Sequence, residues 1–177
     1  MSKARIATTW LDGCSGCHMS LLDIDERLVD IADQIELVYG PLVDALEYPE
    51  AVDIALVEGA VSNDEDVKKI RLIRERTKIL ISFGDCAVTS NVPGMRNEFR
   101  VEDVLKRGYE ENASCHAQIP KQGVPHLMPY VRPVHEYVKV DLFVPGCPPP
   151  ADAIFFLISE LLQGRIPDLS NKTRFGA

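Results

Sequence analysis

Short apolar runs recur along the chain, separated by turns and by apolar positions at helical spacing. Ile6 to Thr9 reads as a first strand. Beyond it, Leu21, Ile24, Leu28 and Ile31 form one helical stripe, widened by Leu22 and Val29. Ile35 to Tyr39 predicts a second strand closed by Gly40-Pro41, and Val43 to Tyr48 a short helix before Pro49. Asp53 to Val57 predicts a third strand, ending in Glu58-Gly59. Ser62-Asn63-Asp64-Glu65 reads as a capping box, with Ser62 as the cap, opening a helix to about Arg76 with Val67, Ile70 and Ile73 inward. Lys78 to Phe83 is nearly all apolar, as in a parallel strand covered on both faces, and it runs into Gly84-Asp85-Cys86-Ala87.

From Asn91 to about Glu136 the pattern weakens. A short helix is expected over Val101 to Arg107, then an irregular stretch with Pro120, Pro125, Pro129 and Pro133. So long an irregular segment in a compact domain is functional or faces a partner. Tyr137 to Val144 predicts the last strand, followed by Pro145-Gly146-Cys147-Pro148-Pro149-Pro150. The final helix, Ala151 to Gln163, is apolar through Ile154, Phe155, Leu157, Ile158, Leu161 and Leu162, and Gly164 stops it. A loose polar tail is expected over 167–177. There is no repeat and no linker.

Strands alternating with helices predict one α/β domain over 1–177, a flavodoxin-like doubly wound parallel sheet with helices on both faces. Ligands of such sheets gather outside the carboxyl ends of the strands. Cys14, Cys17, Glu58, Cys86 and Cys147 all follow strands, so this topology sends them to one edge.

Composition adds exclusions. The chain has 177 residues, 46% of them hydrophobic, enough for one domain with a core. No apolar run approaches membrane-spanning length, so no membrane span is expected. Met1-Ser2-Lys3-Ala4-Arg5 leads straight into a strand without a signal-peptide core, so a cytoplasmic location is expected. A net charge of -8 argues against nucleic-acid binding. The five cysteines are an odd number, and turn cysteines in a cytosolic chain suggest metal or redox chemistry before disulfides.

Cys14-Ser15-Gly16-Cys17 offers two thiols in a glycine-containing turn between a strand and a helix. With Cys86 and Cys147 the count is four, the number a 4Fe-4S cluster takes. Neighbouring glycines let backbone N–H groups approach the sulfurs, and the prolines around Cys147 fix its turn. A thioredoxin-like dithiol also fits Cys14 and Cys17, but leaves Cys86 and Cys147 unused. A structural zinc site with four cysteines is a further alternative, and Cys86 could be an inert core thiol. Glu58 beside a redox site can pass protons, or is a solvated strand-end acid. Cys115 reads as a spare thiol. His18 reads as a ligand or a helix-start residue, His116, His126 and His135 as loop residues, and Trp10 as core or interface.

Gly13-Cys14-Ser15-Gly16-Cys17, Val57-Glu58-Gly59-Ala60, Gly84-Asp85-Cys86-Ala87 and Pro145-Gly146-Cys147-Pro148-Pro149 together resemble, in order, the motif series of nickel-iron hydrogenase small subunits. The resemblance implies that Cys14, Cys17, Cys86 and Cys147 hold one 4Fe-4S cluster, with Glu58 as the acidic residue near it. It implies a large subunit bearing the nickel-iron centre as partner. The short form, without an export signal or a second cysteine-rich domain, is most similar to the cytoplasmic NAD-reducing type. There, diaphorase-type iron–sulfur and flavin subunits carry FMN, further clusters and the NAD site. The expected role is electron relay, with no hydrogen chemistry by this chain alone. The cluster subunit of respiratory complex I is similar too, but typically has adjacent cysteines where this chain has Cys14-Ser15-Gly16-Cys17.

Overall fold

The parallel sheet is built on β1 (Ala4–Trp10), which pairs on one side with β2 (Ile35–Tyr39) and on the other with β3 (Val52–Glu58). The computed structural model describes residues 3–176; Met1, Ser2 and Ala177, the ends of the expected domain, lie outside them. Outside β3 come β5 (Thr77–Phe83) and β7 (Leu142–Val144), also parallel, giving the order β2-β1-β3-β5-β7. This is the flavodoxin-like order expected from the alternation of elements.

Side-chain alternation along the strands divides the core in two. Ile6, Ile54, Leu56, Ile81 and Phe83 pack with Cys17, Ile24, Ile31, Ile154, Leu157 and Ile158. Those come from α1 (Gly16–Leu22), α2 (Arg27–Ile31), their connection and α7 (Ala151–Leu162). Ala7, Ala55, Val57 and Leu80 pack on the other face with Ile70 and Ile73 of α3 (Asp64–Arg76) and Ala87 of α4 (Asp85–Thr89). Both faces of the central strands are therefore dry, which is why they read as near-continuous apolar runs.

Several local expectations shift. The helix after Cys17 is two short helices, parted where Asp25 takes φ 55, so Ile24 and Ile31 enter the core from separate segments. Val43 to Tyr48 forms no helix; Tyr48 is instead buried, its hydroxyl 2.6 Å from Thr77 Oγ1. The capping box lies one residue later than predicted. Asn63 Oδ1 accepts the Asp66 N–H at 2.9 Å, and the Asp66 carboxylate accepts the Asn63 N–H. Ser62 does not cap: in the short strand β4 (Val61–Asn63) its N–H and Oγ both donate to the Asp66 carboxylate, at 3.0 and 3.3 Å, and Glu65 pairs with Lys68 at 2.6 Å.

The 91–136 stretch is more ordered than its pattern suggests. It holds α5 (Asn91–Gly94), α6 (Val101–Lys106) and β6 (Leu127–Arg132), and β6 pairs antiparallel with β4 in a small second sheet. The predicted 137–144 strand shrinks to β7, because the Tyr137 and Val138 N–H groups turn back to Val134 O and the Leu80 N–H is taken by the Asp141 side chain. The tail is not loose. Pro167 is buried, Leu169 packs against the core, and the Lys172 ammonium lies 4.3 Å from the Phe156 ring centre. Among the described residues, no helix is long and apolar enough to cross a membrane.

Candidate functional site

Each motif sits at the carboxyl end of a strand. The turn after β1 carries Cys14 and Cys17, with Ser15 between them at φ 66. An antiparallel bridge ties this turn to the end of β3: Asp12 N–H donates to Ala60 O at 3.0 Å and Ala60 N–H to Asp12 O at 2.7 Å. Gly59, at φ 87, permits it, since a Cβ there would lie 2.7 Å from Asp12 O. At the end of β5, Gly84 stands at φ 84, and a Cβ on it would lie 2.1 Å from Cys17 Sγ. Cys86 follows in α4, and Cys147 follows β7.

All five cysteines are unpaired; Cys17 and Cys86 are buried, Cys14, Cys115 and Cys147 exposed. Burial pushes the Cys17 thiol well above its ordinary range, and Glu58, Cys86, Cys14 and Cys147 push it further. The Cys86 thiol also goes up through burial, against a hydrogen bond from the Val92 N–H, with Cys14, Cys147 and Glu58 adding to the rise. The four predicted thiols and Glu58 thus act on one another across one edge of the sheet, and Cys115 is absent from both sets. Asn91 Nδ2 donates toward Cys147 Sγ at 3.6 Å.

These observations test the candidate chemistries. A dithiol of Cys14 and Cys17 leaves Cys86 and Cys147, which stand on the same edge, without a role. A single tetrahedral zinc needs its donors within reach of one ion, and no three Cys, His, Asp or Glu among the described residues are placed to hold one. A cluster with one iron per thiolate asks for wider spacing. Mutually opposed, partly buried thiols fit a cationic group that stabilises their ionised form, and N–H groups toward Cys86 and Cys147 fit it as well. The four thiols therefore fit a 4Fe-4S cluster.

Glu58 is not a solvated acid: it is 1% exposed. Its Oε2 accepts the His18 backbone N–H at 3.0 Å and also meets His18 Nδ1. His18 is the third residue of α1, so Glu58 satisfies an orphan amide of the first helical turn from a neighbouring strand. His18 is buried at a helix start, with Trp10 packed edge-on at 5.5 Å. Trp10 itself is half-exposed at the rim. This pair spans forty positions of sequence, so local pattern could not reveal it. The Gly-Asp-Cys motif was visible, but not that Asp85 binds the Gly146 N–H.

A family model described as NADH ubiquinone oxidoreductase, 20 Kd subunit, matches residues 14–161. The chain is 42% identical over 172 residues to the NAD-reducing hydrogenase HoxS subunit delta of Cupriavidus necator, covering 94% of this chain and 82% of that one. It is 39% identical over 170 residues to a subunit of the vhu F420-non-reducing hydrogenase of Methanocaldococcus jannaschii, covering 95% of this chain but only 59% of that one. A crystal structure of an NAD+-reducing nickel-iron hydrogenase in the H2-reduced state contains a chain superposing with TM-score 0.94 at 40% identity, over 98% of this chain and 99% of that one. A chain of the Ni-Fe-Se hydrogenase from Desulfomicrobium baculatum, 20% identical, shares the fold with TM-score 0.61 over 98% of this chain and 69% of that one.

Proposed function

The chain belongs to the NADH ubiquinone oxidoreductase 20 kDa subunit family and, within it, to the small subunits of nickel-iron hydrogenases, and from that premise we propose that it is the electron-relay subunit of a cytoplasmic NAD-reducing hydrogenase. Cys14, Cys17, Cys86 and Cys147 each hold one iron of a single 4Fe-4S cluster. When bound, that cluster supplies one-electron transfer between the nickel-iron centre of a large subunit and diaphorase-type iron–sulfur and flavin subunits that carry FMN and reduce NAD. The residues of this chain do the rest. Cys17 and Cys86 exclude water from half of the ligand set. Val92 and Asn91 direct N–H groups at the sulfurs of Cys86 and Cys147 and offset thiolate charge. Glu58 is buried and bonded to His18 through Oε2, which supports a proton-carrying role for its other oxygen, Oε1. Val92, Met95, Phe99, Tyr109 and Tyr130 leave much apolar surface exposed on the 91–136 segment, which supports a partner subunit there.

The observation that carries this reading is the convergence of four unpaired thiols from three strand ends. Iron and sulfide analysis of anaerobically purified chain tests it. About four of each per chain is expected from one cubane. A colourless, zinc-loaded protein would replace electron relay with a structural site. A metal-free chain with a reversible Cys14–Cys17 disulfide would replace it with dithiol chemistry.

A further inference from the structure

Asp85 stands between the end of β5 and Cys86, and it is buried at 5% exposure. Its backbone N–H donates to Gly146 O at 2.9 Å, and its Oδ1 accepts the Gly146 N–H at 2.7 Å. The loops carrying Cys86 and Cys147 are therefore joined reciprocally, beside the Gly84 N–H bond to Val144 O at 2.8 Å. The other oxygen, Oδ2, accepts the Gly176 N–H at 2.7 Å, ninety-one residues along the chain. A buried carboxylate is tolerated when both oxygens are bonded, and here both partners are backbone amides. Joining the two loops requires only Oδ1. Oδ2 fastens the C-terminal segment, which reaches Asp85 along a packed path of Pro167, Leu169 and Lys172 and passes beside Pro150.

We propose that Asp85 is a positioning residue that clamps the Cys86 and Cys147 loops with one carboxylate oxygen and fastens residues 165–176 as a strap with the other, so that releasing the strap loosens the two ligand loops. The functional consequence rests on reading the thiols as cluster ligands; the strap does not.

The test uses the full chain, purified anaerobically. In Asp85→Asn the side-chain oxygen still accepts the Gly146 N–H, while the amide NH2 turns a donor toward the Gly176 N–H. Losing a charge-assisted hydrogen bond there should speed tryptic cleavage after Arg165, Lys172 and Arg174 about tenfold over wild type. Gly176→Pro removes the strap's N–H and, since proline cannot take the φ of 69 found there, frees the strap's end outright, while Asp85 and both loops keep their own residues. Both variants should retain iron, yet alter the electron paramagnetic resonance signal of the reduced cluster and shorten its lifetime in air. Wild-type cleavage rates in Asp85→Asn would overturn the strap. Cleavage that speeds up while Gly176→Pro keeps the wild-type signal and lifetime would overturn its coupling to the loops. A wild-type chain without iron would remove the cluster reading alone, since the cleavage arm still reads the strap.

Discussion

The sulfur of Cys17 lies 2.1 Å from where a Cβ on residue 84 would stand. Two segments that carry proposed ligands meet with no room for a methyl group, and Gly84 also sits at φ 84, which side chains rarely adopt. Gly84→Ala should displace Cys17, cost about 1–3 kcal/mol in backbone strain alone, and lower iron and sulfide well below wild type with far-UV circular dichroism preserved. Gly108→Ala is the control, because a Cβ there meets nothing within 4 Å. Equal iron contents in the two variants would contradict the packing argument.

If the proposed cluster is held as assigned, replacing Cys14, Cys17, Cys86 or Cys147 by Ala should each remove or degrade it, since each would supply one iron's only protein thiolate. Cys115→Ala should leave it intact, because Cys115 is exposed and takes no part in the mutual effects among the other four. Visible absorption and iron content read the outcome. Cluster loss in Cys115→Ala with retention in Cys86→Ala would invert the ligand assignment.

What the sequence revealed follows from burial. The strand runs Ile6 to Thr9, Asp53 to Val57 and Lys78 to Phe83 are apolar on both faces because helices cover both, so composition alone marks them. Their alternation with helices was enough for the topology, and the topology for the common edge. What stayed hidden depends on distant pairing. β6 exists because Leu127 and Arg132 find Asn63 and Val61, and the cap falls on Asn63 because Asp66, not Glu65, reaches back to the Ser62 and Asn63 amides. Glu58 against His18, and Asp85 against Gly146 and Gly176, are likewise contacts between remote segments with no local signature.

The strand leading to Cys147 is pinned by Asp141, whose Oδ2 accepts the Leu80 N–H at 2.8 Å and meets Arg74 Nη1 at 2.6 Å. Burial pushes this carboxyl up, but the Leu80 N–H and Arg74 outweigh it and hold it below its ordinary value. A depressed folded pKa contributes stability that is complete above the unfolded value of about 3.9 and is lost as pH falls through the folded one. Asp141→Asn should therefore cost about 1–2 kcal/mol at pH 7 and progressively less as pH falls below the unfolded value of about 3.9. Urea unfolding at neutral pH and below that value measures this. An equal deficit at both would assign the loss to packing.

The isolated chain should self-associate. Val92, Met95, Phe99 and Tyr130 are each more than half exposed, on a segment whose small second sheet is only two strands wide. A surface of that kind is stable when a partner covers it. Light scattering on the purified chain, with and without co-expressed large subunit, tests this. A monodisperse monomer alone would remove the main support for placing the partner on this face.

Glu58 is where structure and chemistry compete for one side chain. Its Oε2 is committed to the His18 N–H and Nδ1, and its Oε1 lies 3.8 Å from where a Cβ on Gly13 would be, beside the Cys14 turn. Removing the side chain strands two buried polar groups of His18, so Glu58→Ala should lose about 2–4 kcal/mol of stability. Gln is the informative substitution. Its oxygen still accepts the His18 amide, which preserves the first turn of α1 and the position of Cys17, but a carboxamide cannot carry a proton. If Glu58 transfers protons, hydrogen oxidation by the assembled enzyme should fall on the order of a hundredfold in Glu58→Gln, with iron content and cluster spectrum unchanged. If Glu58 only anchors α1, both rate and spectrum should stay at wild type. Wild-type rates of hydrogen oxidation and evolution across neutral pH, in a variant with its full complement of iron, would exclude the proton-transfer role.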